Sequence, residues 1–206
     1  ESVTTIGDCA FKNCYGLTSV DIPNSVTSIG SHSFDLCGNL TSIFIGSGVT
    51  FIGNGAFNEC HNLTKVEFTS IESMLNINCD KPGNPNFPWS YHLYINGEEV
   101  TQLVIPNSII KIARNTFYGC SYLTSVSIPN SVISIGNWAF RYCGDLVSIN
   151  IPNSVTFIGS CAFMDCWSLT TITIPNSVTE IQDYAFGNCD KLRRVVVDIK
   201  EPLTIE

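Results

Sequence analysis

Two cysteines stand five positions apart in the segment SCAFMDC, at Cys161 and Cys166. Taken alone, such a pair could ligate a metal ion, form a redox couple or a disulfide, or include a nucleophile. His61 directly follows Cys60, which adds a Cys-His pair that could support covalent catalysis. The chain has ten cysteines but only three histidines among its 206 residues. Its sequence contains neither the C-x-x-C spacing of a zinc site nor a glycine-rich phosphate loop.

An internal repeat accounts for most of these cysteines. The segment IPNS occurs five times, at 22–25, 105–108, 128–131, 151–154 and 174–177, and the last four copies begin 23 residues apart. Phenylalanine and leucine columns keep this period, and so do seven cysteines: Cys14, Cys37, Cys60, Cys120, Cys143, Cys166 and Cys189. Such a column suits free cysteine, which behaves as a small buried hydrophobe. Cys161 falls in a column of varied residues, so the SCAFMDC pair is predicted to be one core thiol and one surface thiol.

The cysteine column is predicted to stay reduced. Stacked coils lie about 4.8 Å apart, and parallel side chains keep their Cβ atoms near that spacing, whereas a disulfide prefers about 3.8 Å. The cysteines outside the column, Cys9, Cys79 and Cys161, are predicted to be the accessible ones. His61 shares its column with glycine and tryptophan, so a catalytic Cys-His pair is not expected. No metal, cofactor or catalytic residue is predicted, and the chain is not expected to be an enzyme.

Each repeat must be positioned by its neighbours, because one coil cannot bury its own apolar side. Alternating apolar residues predict short strands that pair in parallel, near 19–22, 42–45, 125–128, 148–151 and 171–174. A Pro-Asn-Ser turn ends each strand, and a brief extended piece follows. The next column, which includes Asp8 and Ser31, holds helix-capping side chains in six of seven coils. This column predicts a one- to two-turn helix that carries Phe34 and Cys37 on its inner side.

Together these elements predict an α/β fold. The architecture expected is a right-handed leucine-rich-repeat solenoid (horseshoe), with a parallel β-sheet on the concave face and short helical turns and extended pieces on the convex side. The whole chain, 1–206, is predicted to form a single solenoid domain. Because the sequence opens inside a coil and closes without a polar cap, we expect it to be a fragment or to have its ends covered.

One long coil, at about 68–104, breaks the period. Three prolines within 82–88 argue against a helix or a central strand there. Asn96-Gly97, between extended residues, predicts a β-hairpin with a type I′ turn. The aromatic residues of this coil could form a platform for a sugar or a protein partner, or they could refill a core that lacks its Phe-Cys segment. They are Phe87, Trp89, Tyr91 and Tyr94.

Composition narrows the classes of partner. The net charge is −8, from ten basic and eighteen acidic residues, so a nucleic-acid partner is not expected. No apolar run approaches the roughly 20 residues that span a membrane, so no transmembrane segment is predicted.

The repeated pattern I-P-x-x-V-x-x-I-G-x-x-A-F-x-x-C-x-x-L-x-x-V resembles the BspA-like (Treponema pallidum-type) leucine-rich repeat family, from Val3 to about Val197. The segment LYINGEEVTQLVIPNS also resembles a coil common in members from gut-dwelling bacteria. The resemblance implies a secreted or cell-surface bacterial protein. Some members act as adhesins toward host matrix proteins, host cells or other bacteria. The family brings no catalytic motif.

Two surfaces are candidates for binding a protein partner. Small polar residues dominate the predicted concave face, which favours a weak, extended contact, and one aromatic and charged patch interrupts them. The candidate residues of this face are Phe44, Lys65, Glu67, Ser127, Asn150 and Thr173. A convex alternative comprises Trp138, Tyr142 and Trp167, in variable columns of adjacent coils. The expected function is protein binding or adhesion; the alternative is a structural spacer or surface-layer element with no partner of its own.

Overall fold

The computed structural model describes residues 2–79, 87 and 90–198, with only the backbone of Asn78 and Cys79. These residues form two compact units. The first unit comprises 1–101 and 118–122, and the second comprises 102–117 and 123–206. Each unit is a stack of β-coils in which every coil contributes one strand to each of two sheets. The parallel β-solenoid predicted from the repeat is therefore present in both units.

The first unit contains sheets A and B. Its strands are β1 (Thr5–Ile6), β2 (Ser19–Ile22), β3 (Ser28–Ile29), β4 (Ser42–Ile45), β5 (Phe51–Ile52), β6 (Lys65–Phe68), β7 (Asn78–Cys79), β8 (His92–Ile95) and β9 (Glu98–Glu99). Sheet A has the order β1-β3-β5-β7 and sheet B the order β2-β4-β6-β8-β9. All pairs are parallel except β8 with β9. One helix, α1 (Ile71–Leu75), follows β6 and is capped by the Ser70 side chain.

The second unit contains sheets C and D, and all of their strands are parallel. They are β10 (Gln102–Val104), β11 (Lys111–Ile112), β12 (Ser125–Ser127), β13 (Ser134–Ile135), β14 (Ser148–Asn150), β15 (Phe157–Ile158), β16 (Thr171–Ile174), β17 (Glu180–Ile181) and β18 (Arg194–Val197). Sheet C has the order β10-β12-β14-β16-β18 and sheet D the order β11-β13-β15-β17. Paired residues lie 23 positions apart, as in Ser125 with Ser148. The strands predicted near 19, 42, 125, 148 and 171 are confirmed.

A column of stacked phenylalanine rings fills the core of each unit. In the first unit, ring centroids lie 5.2 Å apart for Phe11 and Phe34, and 5.4 Å apart for Phe34 and Phe57. Phe87 continues the column at 5.0 Å from Phe57. Phe87 and Tyr91 are both buried, so they refill the core of the irregular coil rather than form a platform. Trp89 lies outside the described residues.

The cysteine column has a polar role as well as an apolar one. Cys60 Sγ donates to the Phe34 carbonyl at 3.1 Å, and Cys166 Sγ donates to the Phe140 carbonyl at 3.3 Å. The same bond forms from Cys37, Cys143 and Cys189. The Phe34 and Phe140 carbonyls also accept the backbone N–H of Cys37 and Cys143, so the thiol of the next coil supplies a second hydrogen bond that an apolar residue of its size could not make. All nine cysteines whose side chains are described are free thiols.

The prediction of a one- to two-turn helix around Phe34 and its equivalents is wrong. The segments that carry Phe34 and its equivalents are tight turns, and α1 is the only helix in the described part of the chain. Two residues in each turn have positive φ, as in Trp138 at 60° and Tyr142 at 63°. Such residues cannot continue a right-handed helix. Backbone N–H groups instead donate to the next coil, for example from Phe11 to the Ser33 carbonyl at 2.7 Å.

The predicted capping column also does something different from capping. Asp8 Oδ1 accepts a hydrogen bond from the backbone N–H of Ser31, one coil further on, at 2.7 Å. Asn137 Oδ1 accepts from the Ser160 N–H in the same way at 3.1 Å. These side chains therefore tie neighbouring coils together. The short polar residues that cap helices also suit this position, which is why the sequence pattern misled.

The irregular coil combines an enlarged coil with a hairpin. Lys65 of β6 pairs with His92 of β8, a separation of 92 − 65 = 27 residues. Strands β8 and β9 then form the predicted hairpin, with φ of 50° at Asn96 and 84° at Gly97. Positive φ at both central residues defines the type I′ turn, so that prediction is confirmed. The hairpin ends sheet B with an antiparallel strand.

In each unit, one buried carboxylate links three successive coils. The Asp35 carboxylate accepts from Lys12 Nζ at 2.8 Å and from Asn58 Nδ2 at 2.9 Å. In the second unit, Asp165 accepts from Arg141 Nε at 3.2 Å and from Asn188 Nδ2 at 2.8 Å. Burial raises the pKa of the Asp35 carboxyl, but the hydrogen bonds from Lys12 and Asn58 outweigh it. The pKa of Asp35 therefore lies below its ordinary value of 3.8.

This linkage predicts a specific loss of stability in acid. The depressed pKa of Asp35 means that the unfolded chain takes up its proton at a higher pH than the folded chain does. Its contribution is therefore complete above about pH 4 and is lost as the pH falls through the lower folded value. We expect Asp35→Asn to lower the free energy of unfolding at about pH 6, and the difference from the wild type to shrink as the pH falls through the lowered pKa of Asp35. Urea melts across this range measure the difference, and a gap that is constant with pH would contradict the assignment.

Candidate partner-binding surface

The solvent-facing side of sheet B carries a cluster of aromatic and charged side chains. Strand register places Phe44 beside Glu67 and Glu67 beside Tyr94 on three neighbouring strands. Lys65 stands two residues before Glu67 on the same side of β6. We call these four residues the sheet B patch: Phe44, Lys65, Glu67 and Tyr94. All four are half-buried, so each is partly packed and partly open to solvent.

Lys65 lies between a carboxylate and an aromatic ring. Its ammonium is 2.8 Å from Glu67 Oε2 and 4.4 Å from the centroid of the Tyr94 ring. The hydrogen bond to Glu67 raises the pKa of Lys65. The Lys65 side chain stays 40% exposed, whereas that of Glu67 is 17% exposed. Cation–π and ion-pair contacts thus hold the lysine at the rim of the patch.

A histidine side chain is held in a similar way beside Lys65. His92, the register partner of Lys65, has its Nδ1 within hydrogen-bond distance of Glu99 Oε1. Its ring stacks on Tyr122 with centroids 3.5 Å apart. The hairpin brings Glu99 to this position, because β9 pairs with β8. Two carboxylate and tyrosine pairs therefore lie side by side: Glu67 with Tyr94 on sheet B, and Glu99 of the hairpin with Tyr122 of the turn at 121–122.

The solvent-facing side of sheet B carries an excess of negative charge. Asp21, Glu67 and Glu99 contribute three carboxylates, and Lys65 contributes one ammonium. With His92 neutral, the sum is −3 + 1 = −2. This balance agrees in sign with the net charge of −8 for the whole chain. Electrostatic attraction at this face would therefore favour a partner with basic groups.

The equivalent side of sheet C is neutral and polar. Ser127, Asn150 and Thr173 occupy the same register position on β12, β14 and β16, and all three are exposed. Ser127 and Asn150 help to line an open depression of about 500 Å³, together with the strand ends and the first turn residues of three coils; Thr173 does not line it. Its walls include Val104, whose side chain is exposed. These three predicted residues thus form a row of small side chains without aromatic or charged neighbours in their column.

The alternative surface on the turns of the second unit is built around Arg141. Its guanidinium lies 5.4 Å from the Trp138 ring centroid and 4.7 Å from that of Tyr142. Arg114 covers Trp138 as well, at 4.8 Å, so Trp138 faces solvent but is half-buried. Tyr142 and Trp167 have ring centroids 6.3 Å apart. Trp167 is the most open of the three predicted residues, at 44% exposed.

The residues with catalytic potential do not form a catalytic arrangement. Burial raises the pKa of the Cys60 thiol to about 12, which suppresses the thiolate needed for nucleophilic attack. His61 is 76% exposed and pairs with Glu59 at 2.8 Å. Within residues 2–79, 87 and 90–198, no three His, Cys, Asp or Glu side chains are grouped to hold a metal ion. No helix in the described part of the chain is long and apolar enough to cross a membrane.

Fold and surface together define a leucine-rich repeat protein, a class that generally binds other proteins. The sequence pattern of the BspA-type leucine-rich repeat region matches six copies, over residues 1–82 and 90–203. The chain belongs to the BspA-type leucine-rich repeat family. No curated protein matches it.

Solved structures share the fold. A leucine-rich repeat protein of T. pallidum is 30% identical, with a TM-score of 0.50 over 81% of this chain and 72% of its own. A leucine-rich repeat protein of Bacteroides ovatus is 23% identical, with a TM-score of 0.61 over 95% of this chain. The chain spans 59% of that protein's length. The pneumococcal vaccine antigen PcpA is 18% identical, with a TM-score of 0.54 over 95% of this chain and 68% of its own.

The sequence predicted three of the four residues of the sheet B patch as one candidate surface, and named Tyr94 only as part of a separate aromatic platform. Phe44, Lys65 and Glu67 do lie together on β4 and β6. Tyr94 and His92 belong to the irregular coil, where the 23-residue columns no longer give the register. The hairpin could have supplied this register. The Asn-Gly turn places β8 at 92–95, and the alternation of inward and outward side chains along β8 then matches that along β6.

Proposed function

We propose that this chain is a non-catalytic adhesion module of a secreted or cell-surface bacterial protein, and that it binds a protein partner through the sheet B patch. One observation carries the proposal: Phe44 and Tyr94 are partly exposed aromatic residues flanked by charged groups on a pleated surface. Aromatic residues dominate the energetics of protein interfaces, whereas serine and threonine are under-represented among hot spots. The neutral row on sheet C offers no such anchors.

The extracellular placement rests on family membership and on the similar fold of a vaccine antigen. Reduced thiols do not argue against it, because the cysteine column is set by packing and by the thiol–carbonyl bonds. Candidate partners are host matrix proteins or other cell-surface proteins. Leucine-rich repeat solenoids commonly use an extended sheet surface in this way.

Replacing the two aromatic anchors tests the proposal. The double variant Phe44→Ser with Tyr94→Ser should weaken binding to an immobilised matrix protein by at least about tenfold, because it removes the apolar contact area of the patch. Both positions are only half-buried, so the fold should persist, and circular dichroism checks this. Surface plasmon resonance against a panel of purified extracellular-matrix proteins measures the affinities.

Two control variants test whether binding uses one of the other two candidate surfaces instead. Ser127→Glu with Asn150→Glu charges the sheet C row, and Trp167→Glu charges the turn surface of the second unit. Both should leave binding within about twofold of wild type. Loss of binding only in the sheet C variant would move the site to Ser127, Asn150 and Thr173, and loss only in Trp167→Glu would move it to Trp138, Tyr142 and Trp167. A folded wild-type protein that binds no member of the panel would favour the spacer or surface-layer role.

A further inference from the structure

Two side chains of the protein itself occupy positions that would suit the cations of a partner. Lys65 lies against Glu67 and Tyr94, and His92 lies against Glu99 and Tyr122. A carboxylate beside the face or edge of a tyrosine ring offers a cation both an ion pair and a quadrupole attraction. We call Glu67 with Tyr94 the first cradle, and Glu99 with Tyr122 the second cradle.

We infer that the two cradles recognise arginine or lysine side chains of a basic protein segment, and that Lys65 and His92 are internal occupants which such a segment displaces. This inference rests on the proposed function and names the chemistry of the partner. It commits to a basic segment because the solvent-facing side of sheet B has three carboxylates against one ammonium. Guanidinium groups match this geometry best, since they are planar and both stack on rings and pair with carboxylates.

Displacement is feasible because both occupants are held at the surface. The Lys65 side chain is 40% exposed above a Glu67 side chain that is 17% exposed. In the second pair both side chains are open to solvent, His92 at 32% and Glu99 at 36% exposed. Exposed ion pairs and exposed cation–π contacts are both weak, because water and salt screen them. An incoming arginine would therefore replace the weak contacts of Lys65 or His92 with contacts of its own. The other contacts of the bound segment would supply the net affinity.

The sheet C face has a cation, Arg194, but lacks the carboxylate and the tyrosine that would hold it, which makes it a natural control. Arg194 is exposed and occupies the column of Lys65, as the register partner of Thr171. No carboxylate or aromatic residue stands two positions further along the strand, where Val196 replaces the equivalent of Glu67. Removal of Arg194 changes the net charge by the same amount as removal of Lys65, without opening a cradle.

Removing the internal cation should strengthen binding of a basic probe. The probe is a fluorescein-labelled peptide of alternating arginine and glycine, with glutamate in place of arginine in the comparison peptide. We expect Lys65→Ala to bind the arginine peptide about three- to tenfold more tightly than wild type, and Arg194→Ala to change the affinity by less than about twofold. Glu67→Gln should weaken binding about fivefold or more, whereas Asp145→Asn, an equal charge change in the second unit, should not. Fluorescence polarisation at low and high salt gives the affinities, and the glutamate peptide should not bind.

The outcomes separate this inference from the proposed function. Lys65→Ala that binds no more tightly than Arg194→Ala, or Glu67→Gln that binds like Asp145→Asn, would overturn the cradles. If a matrix protein binds through Phe44 and Tyr94 but the arginine peptide does not compete, the patch is an interface and the basic partner is wrong. If the peptide binds and responds to Lys65→Ala while no matrix protein binds, the cradles stand and the choice of matrix partners fails.

Discussion

Replacing Phe140 by alanine is expected to lower the free energy of unfolding by about 3–5 kcal/mol. Phe140 is completely buried, and its ring lies between those of Phe117 at 5.1 Å and Phe163 at 5.2 Å. Truncation would leave a cavity bounded by three successive coils, and each neighbouring ring would lose one stacked face. Because the backbone of each coil is tied to the next by parallel hydrogen bonds, the coils cannot close the gap.

Trp138→Ala is the matched control, since Trp138 stands two residues away in the same turn. Its indole contacts Arg114 and Arg141 at the surface, and its loss should lower stability by about 1 kcal/mol. Urea melts followed by circular dichroism compare the two variants with wild type. Equal losses at the two positions would mean that the inward and outward sides of the turn are reversed.

The period of the sequence was enough to predict the strands and their register. Every paired residue outside the irregular coil lies one repeat from its partner, as with Ser42 and Lys65. Equivalent positions of successive repeats must stack, so the apolar alternation and the proline turns left few possible positions for each strand. The thiol column followed from the same argument, although its hydrogen bonds to the phenylalanine carbonyls carried no separate signal in the sequence.

The turns could not be predicted in this way, because two backbone conformations share one side-chain pattern. Phe34 and Cys37 lie three residues apart, which suits the inner face of a helix and also the inner side of these turns. The difference lies in the positive φ of two residues per turn, such as His32 and Leu36. Glycine, asparagine or aspartate, which adopt positive φ readily, occupies at least one of the two positions in five of the seven described turns, as at Asn13, Gly119 and Asp165. The remaining positions hold residues such as leucine, tyrosine and tryptophan, so the signal is incomplete. Hydrogen bonds to the next coil stabilise this conformation, and local propensity does not report them.

Native thiols of this protein are expected to differ in alkylation rate by more than about a thousandfold. Cys9 is exposed and Cys161 is half-buried, so both should react quickly. Burial raises the pKa of Cys60 and of Cys120 to about 12, which leaves roughly one thiol in 10⁵ ionised at neutral pH. Burial likewise raises the pKa of Cys189 to about 11. Restricted access of the reagent adds to the effect at the buried positions.

Pulsed alkylation with iodoacetamide, followed by peptide mass spectrometry, measures each cysteine separately. The buried cysteines should become reactive only in denaturant, and no reductant should be needed: Cys37, Cys60, Cys120, Cys143 and Cys166. The Cys166→Ala variant isolates the role of the column, because it removes a thiol that donates to the Phe140 carbonyl. Cys166→Ser keeps a hydrogen-bond donor at this position, although serine is shorter and more polar than cysteine. If the hydrogen bond matters more to stability than the side-chain volume, the free energy of unfolding of Cys166→Ser should lie between those of Cys166→Ala and the wild type. Native labelling of Cys60 as fast as that of Cys9, or denatured protein that needs reductant before it reacts, would show that the column is not a ladder of buried, reduced thiols.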